Sequence, residues 1–390
     1  MKQLTFNRWT LALAAGGLVS LTSAARADEK PSAVQTALSD TTISGYVSAS
    51  ANVALTGNYA ESPAANINFQ PASKENGFNL DVVKLVIARP EDTNTWSAGY
   101  EVDLLFGPDA VEYNSSANAA STTDYAIKQA FITLSTPIGN GLDWKIGVFD
   151  SPLGYEVYDV GSNPNYTHSW GYYVEPTELT GLQGTYKLND EWSLNAGVAN
   201  TSSAGINQRN TYPHDVWHKA AFGDVTYTAP SSWGWAAGSA LFAGVLYGSV
   251  DTTSATGVPQ AGNQVNYYGG LTLNTPWKAL TGGLAFDYVQ NYADTGANDS
   301  IFGLYATYKA TDKLSFNARG EYVETDSGFS HVGSENLVEL TGTVEYDLWA
   351  NVQSRVEVRW DQDLSTKNGD LLASGERDSV GLYANIIYKF

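Results

Sequence analysis

From residue 43 onward the chain keeps returning to one pattern. Apolar and polar side chains alternate at period two over stretches of about nine to thirteen residues. The clearest stretch is 96–106. Trp96, Ala98, Tyr100, Val102, Leu104 and Phe106 share one face, and Ser97, Gly99, Glu101 and Asp103 share the other. Residues 142–148 repeat it, with Leu142, Trp144, Ile146 and Val148 opposite Asp143 and Lys145. In 352–360, Val352, Val356, Val358 and Trp360 oppose Gln353, Arg355, Glu357 and Arg359. At the C-terminus Val380, Leu382, Ala384, Ile386, Tyr388 and Phe390 form one face. Weaker cases are 192–198, 265–273, 280–288 and 314–322, while 78–89 and 123–135 are apolar on both faces and the pattern does not orient them. Such strands bury one side only, and their length is what a tilted strand needs to cross a bilayer.

Sixteen candidate strands start near residues 43, 78, 95, 123, 141, 178, 191, 217, 237, 263, 279, 300, 313, 336, 351 and 379. The connections between them alternate in length. Seven are short, near 90–94, 136–140, 188–190, 230–236, 275–278, 310–312 and 347–350. Eight are long, near 56–77, 107–122, 150–177, 201–216, 250–262, 290–299, 324–335 and 361–378. This is the count for an even-stranded barrel with both termini on one side, short periplasmic turns and long outer loops. The expected fold is therefore all-β, a transmembrane antiparallel up-and-down β-barrel. Aromatic residues near strand ends fit the two membrane interfaces: Trp96 and Phe106, Trp144 and Phe149, Trp349 and Trp360, and Tyr383 with Tyr388 and Phe390. The alternative is a soluble sandwich or propeller with these rings in its core. The strands are long for that, their polar faces carry mid-strand charges, and no blade-length repeat occurs.

The first 27 residues read as a cleaved export signal. Lys2 and Arg8 are basic, Leu11 to Leu21 is apolar, and Ala25-Arg26-Ala27 is a small-x-small cleavage motif. Residues 28–42 are expected to be a periplasmic segment and 43–390 the barrel. Cleavage removes three basic residues and no acid, so 18 basic face 41 acidic residues and the net charge moves from −20 to −23. That balance argues against nucleic acid as a partner. With no Cys, disulfides, Cys-ligated zinc and a cysteine nucleophile are excluded. A mean hydropathy of −0.23 excludes a helical membrane bundle but is compatible with a barrel, whose strands have one apolar face.

The final ten residues, GLYANIIYKF, alternate and end on Phe390. Tyr388 and Phe390 fit the terminal mark that outer-membrane assembly machinery reads, beyond simply ending a strand. Several stretches resemble one family: ISGYVSAS (43–50), GFNLDVVKL (77–85), WSAGYEVDLLFGPDA (96–110), IKQAFITLSTPIGNGLDWKIGVFDSPLGYEV (127–157) and NPNYTHSWGYYVEPTELTG (163–181). They look like the OmpL-like porins, the second family of β-barrel porins. The likeness is most specific over 43–181 and is one of pattern beyond that. It implies a bacterial outer-membrane barrel working as a diffusion channel, and it supplies no catalytic residue and no settled solute.

Sixteen strands leave an aqueous lumen. A lipid-facing arginine at mid-bilayer costs roughly 2–4 kcal/mol, so mid-strand charges are expected to face that lumen. They are Glu101, Asp103, Asp143, Lys145, Arg319, Glu321, Glu339, Glu345, Arg355, Glu357 and Arg359. Two readings of them stand side by side: an electrostatic wall that sets ion preference, and cross-strand pairs that only hold the strands together. By analogy with general porins, the long loop 150–177 folds inward and narrows the lumen, its Asp150, Glu156, Asp159 and Glu175 facing the arginines across the opening; packing outside as a subunit contact is the alternative. Asp361, Asp363, Asp370, Glu376 and Asp378 read as outer-loop acids. The segment from Asp361 lacks the glycine and the glutamate of a calcium loop. His168, His214, His218 and His331 all fall in or beside outer loops and make no catalytic or metal motif, so no enzyme activity, metal or cofactor is expected. The expected partners are outer-membrane lipid, small hydrophilic solutes or ions, the assembly machinery and, by analogy, two further copies in a homotrimer. A receptor or adhesin with a plugged lumen is the alternative function, and an outer-membrane hydrolase a more distant one.

Overall fold

The computed structural model describes residues 34–35, 40–56, 74, 76–92, 95–110, 124–202, 206–207, 209, 219–253, 259–292, 294–326, 336–364 and 377–390. The proposed signal at 1–27 lies outside these residues, as do His214, His218, His331, Asp370 and Glu376. Sixteen strands follow one another in chain order. They are β1 (Thr42–Ala54), β2 (Gly77–Arg89), β3 (Ser97–Phe106), β4 (Tyr125–Thr136), β5 (Leu142–Asp150), β6 (Glu178–Lys187), β7 (Trp192–Ala199) and β8 (Ala220–Thr228). The second half comprises β9 (Ala240–Thr253), β10 (Pro259–Asn274), β11 (Leu280–Tyr292), β12 (Ala297–Lys309), β13 (Leu314–Thr325), β14 (Asn336–Trp349), β15 (Val352–Asp363) and β16 (Asp378–Lys389). Each pairs antiparallel with the next, and β16 pairs with β1 from Gly381↔Ala54 to Lys389↔Tyr46, closing a barrel of 16 strands. Closure leaves no free edge, which is what lets a sheet span a membrane. Phe390 and Gly45 exchange both backbone hydrogen bonds at 3.0 Å and finish the seam. Upstream, the two residues Val34–Gln35 pair with Ile43 and Thr42. Among the described residues no helix is long and apolar enough to cross a membrane.

The alternation is visible in the burial of each strand. Along β13, Phe316, Ala318 and Tyr322 are exposed on the outside, while Ser315, Asn317, Arg319, Glu321 and Val323 are buried within. The two segments whose pattern had no orientation each contain a β-bulge. In β2 the register slips at Asp81, so Phe78 and Leu80 face out above it and Val83 opposes Val47 below it. In β4 it slips at Lys128, and Lys128 and Gln129 are both buried. One extra residue inverts the phase of everything after it, which makes a half-buried strand look apolar on both sides.

Three details differ from the sequence reading. The stretches 250–262 and 290–299 are mostly strand, because β9–β12 run 13 to 16 residues. Their outer ends carry no apolar face to announce them. In the short β11–β12 link, residues 294–296 form a turn, with Asp294 and Gly296 in the left-handed region. Phe149 and Tyr383 are not girdle residues: both are buried inside, at 0% and 1% exposure. Asp361 and Asp363 are not loop acids: they end β15 and are buried within the barrel, and Asp378 opens β16.

Candidate functional site

The segment 151–177 links β5 to β6 and lies inside the barrel. Its composition explains how it bends: Gly, Pro, Asn and Tyr dominate, and Gly154 sits at φ +139°. The positive φ suits glycine, and a Cβ at Gly154 would crowd the Glu175 carboxylate that the loop brings beside it. The one α-helix of the segment, α1 (Trp170–Val174), starts where the Ser169 hydroxyl accepts a hydrogen bond from Tyr172 N at 3.0 Å.

The loop is fastened chiefly by its backbone. Arg355 Nη1 donates to the carbonyls of Val160 (2.6 Å) and Asn165 (3.1 Å). Arg359 donates to His168 O at 2.5 Å and Arg319 to Thr167 O at 2.6 Å. Between the arginines, carboxylates take the amides. Glu357 accepts from Tyr166 N (2.5 Å) and Thr167 N (2.9 Å), and Glu321 from Trp170 N (2.8 Å) and Gly171 N (3.1 Å). The inward rows of β13 and β15 thus alternate base and acid in step with the donors and acceptors of an irregular main chain, which would otherwise be buried without partners.

Side chains complete the attachment. Glu156 lies 2.9 Å from Arg319, 3.1 Å from His168 Nδ1 and 2.9 Å from Ser169 N. Burial alone would raise this carboxyl; Arg319 and the His168 hydrogen bond outweigh it and bring it down to about 2. Burial holds His168 below its ordinary value, and its ring stacks on Tyr172 at 4.0 Å. Asp159 reaches the other side of the lumen, to Lys84 Nζ at 2.8 Å and the Tyr46 hydroxyl at 2.9 Å, and Lys84 holds it below the usual carboxylate range against the opposing effect of burial. Glu175 takes Tyr155 N at 3.3 Å, and burial together with Asp287 pushes its carboxyl well up.

The eleven expected lumen charges all sit on the inner side of their strands, in different surroundings. Arg319, Glu321, Glu339, Arg355, Glu357 and Arg359 are at most 4% exposed and packed together with the loop. Arg319 also bonds to Glu339 at 3.2 Å, and Glu345 stands opposite Arg355 in the β14–β15 ladder. Asp103 pairs with Lys84 at 2.9 Å. Glu101, Asp143 and Lys145 are half-buried, Lys145 lying 4.7 Å from the Phe131 ring centroid. The loop acids do not face the arginines across a gap. Glu156 touches Arg319 directly, Asp159 goes to Lys84, Asp150 pairs with Lys128, and Glu175 lies beside Asp287. The loop itself occupies the space between. Sequence reasoning missed Asp81, Lys84, Lys128, Asp287 and Tyr305. The first three sit in or near the bulges that hid their face. Nothing local marks the last two, which matter only because the loop arrives there: Tyr305 donates to Glu156 at 3.2 Å and stacks on Tyr155 at 4.2 Å. Among the described residues no group of three or more His, Asp or Glu is placed to hold a metal ion.

Residues 40–390 match the family model described as "Putative beta-barrel porin-2, OmpL-like". Among solved structures, the outer membrane channel DcaP of Acinetobacter baumannii superposes with a TM-score of 0.60 at 14% identity, covering 90% of this chain and 97% of that one. An anion-selective porin from Comamonas acidovorans gives 0.59 at 12% identity, covering 90% and 99%. The trimer form of OmpT, an outer membrane protein of Vibrio cholerae, gives 0.55 at 12% identity, covering 90% and 99%. No curated protein matches the sequence.

Proposed function

Since the chain belongs to the OmpL-like family of β-barrel porins, a channel of the bacterial outer membrane, we infer that it passes small hydrophilic solutes and ions by passive diffusion through a lumen narrowed by residues 151–177. The observation that carries this is the attachment of that loop inside a closed barrel of 16 strands, by Arg319, Arg355 and Arg359 on one side and Lys84 on the other. Selectivity then comes from width and charge, with no covalent step. The charges that set it are Glu101, Asp143 and Lys145, which remain half-buried, whereas the arginine rows mainly hold the loop.

The test is a planar-bilayer recording with sugars, amino acids and anions as blockers. Wild-type protein should conduct; a reconstituted barrel that stays closed returns the reading to a surface receptor. Replacing Glu156 and Asp159 by Ala should raise conductance and change ion preference, and unchanged values would sink the constriction role. Tyr388 and Phe390 are the assembly mark in this reading; their replacement by Ala should leave unassembled protein in the periplasm. A homotrimer is supported by the trimer form of OmpT and by the apolar outer face of β16, β1 and β2, where Ala384, Ala49, Ala51, Val83 and Leu85 point outward beside the exposed Phe78. Light scattering of detergent-extracted protein decides it, and a monomer mass would end the proposal.

A further inference from the structure

Strands β6–β8 carry a row of polar side chains on the lumen side. Gln183 Nε2 donates to Thr185 Oγ1 at 3.5 Å, the Thr185 hydroxyl donates to Asn195 Oδ1 at 2.5 Å, and Asn195 Nδ2 donates to Asp224 Oδ1 at 2.9 Å. The register builds this row: Thr185 faces Asn195, and Asn195 faces Asp224, across two adjacent ladders. Every bond runs the same way, so the row is polarised toward the carboxylate.

What the row leaves without a partner is oxygen. Gln183 Oε1 and Asp224 Oδ2 accept nothing, and neither does Thr226 Oγ1, two residues further along β8 on the same face. Gln183 and Thr226 are 5% and 2% exposed. A buried acceptor left unmade costs about 1–3 kcal/mol, so such a group is a standing invitation to a donor. The charge is equally one-sided. No Lys or Arg occurs in β7–β10, and no basic side chain among the described residues pairs with Asp224. On the next strand its ladder partner is Gly244, and the space a side chain there would take is filled by Leu153 of the loop. One step outward lie Phe222 and Leu246, with Leu153 of the loop against them.

A carboxylate with oxygen neighbours and no basic partner complements an ammonium or guanidinium group. We propose that the row Gln183–Thr185–Asn195–Asp224 is a binding station for small organic cations on the passage through the barrel. It rests on the channel reading above. The cation's N–H groups bond to Asp224 Oδ2 and Gln183 Oε1. The station is separate from the arginine rows, whose donors the loop already occupies.

The experiment records single channels of the wild type, Asp224→Asn and Asp224→Glu in planar bilayers, with arginine, glutamate and glucose added in turn. Arginine should block or add current noise in the wild type at concentrations where glutamate and glucose do nothing. Its blocking constant should weaken about tenfold in Asp224→Asn, the loss of one charge-assisted bond, and recover to about twofold of wild type in Asp224→Glu, which keeps the charge. Equal block of wild type and Asp224→Asn overturns the station, as does equal block of the wild type by arginine and glutamate. The second comparison needs no variant and stands if Asp224→Asn fails to assemble. A wild type that does not conduct at all refutes the channel reading, so the two failures are told apart.

Discussion

Strands β13–β15 and strands β7–β10 belong to one inner wall and hold the same loop by different physics. On β13–β15 the contact is ionic and exact in polarity: Arg319, Arg355 and Arg359 take carbonyls, and Glu321 and Glu357 take amides. On β8–β10 the contact is mainly apolar, with Leu153 packed among Phe222, Leu246 and Tyr268, beside a hydrogen bond from Asn266 Nδ2 to Val174 O at 3.0 Å. The difference teaches what each side tolerates. Buried charges are stable only when each has its partner, so the charged side specifies one placement of the loop. Apolar contact is non-directional and adjusts to small shifts. It also leaves its neighbours, the polar row ending at Asp224, uncommitted to the loop.

The sharpest way to break this contrast is Arg319→Ala. It strands Glu156, Glu321 and Glu339 in a buried cluster, and losing one partner of such a group costs about 3–5 kcal/mol. The loop should release, seen as larger and noisier single-channel currents and a lower unfolding temperature on heated gels; a wild-type trace would mean the loop is held elsewhere. Leu153→Ala tests the apolar side. It should cost about 2 kcal/mol, the low end for such truncations, because a patch bordering a wet lumen relaxes. Conductance should then change less than for Arg319→Ala, and a larger change would reverse the ranking of the two anchors. Glu357→Gln keeps an acceptor but loses the charge on two amide contacts, worth about 1 kcal/mol; a measurable rise in current noise with unchanged mean conductance is expected.

The smallest effect is that of pH, and the two ends of the loop respond oppositely. Glu156 is depressed to about 2, so its contribution is complete above its ordinary value of 4.5 and fades only as pH falls toward 2. Glu175 is raised by burial and by Asp287, so its contribution is complete below the ordinary value and is lost as pH rises through the raised one. Acidification from neutrality to about pH 4.5 should therefore tighten the Glu175 end and leave the Glu156 end intact. Quieter currents at low pH, with the difference abolished in Glu175→Gln, are the expected record; noise that grows on acidification would contradict it.

Much of the barrel was legible because the membrane imposes a period. Lipid on one side and water on the other write an alternation along every strand, so β3, β5, β15 and β16 could be read almost residue by residue. The period fails where that contrast fails. Asp81 and Lys128 interrupt it with bulges. The outer ends of β9–β12 lose it and resemble loops. Asp361 and Asp363, acids in a polar stretch, were indistinguishable from loop acids until β15 carried them inside, where Asp361 receives the indole N–H of Trp170 at 2.9 Å.

The sequence alone determined the class of fold, the order of sixteen strands and the inward side of the charges in the regularly alternating strands, because these follow from local alternation and the cost of charge in lipid. Tertiary structure alone decided the fate of those charges. Arg355 is 2% exposed beneath the carbonyls of a loop about 190 positions away in the chain. Pairings of that separation depend on how far the loop folds back and which backbone groups it presents, and no local pattern encodes that. Closing the barrel brought the arginines and the loop together, and left Asp224 with no basic side chain paired to it among the described residues.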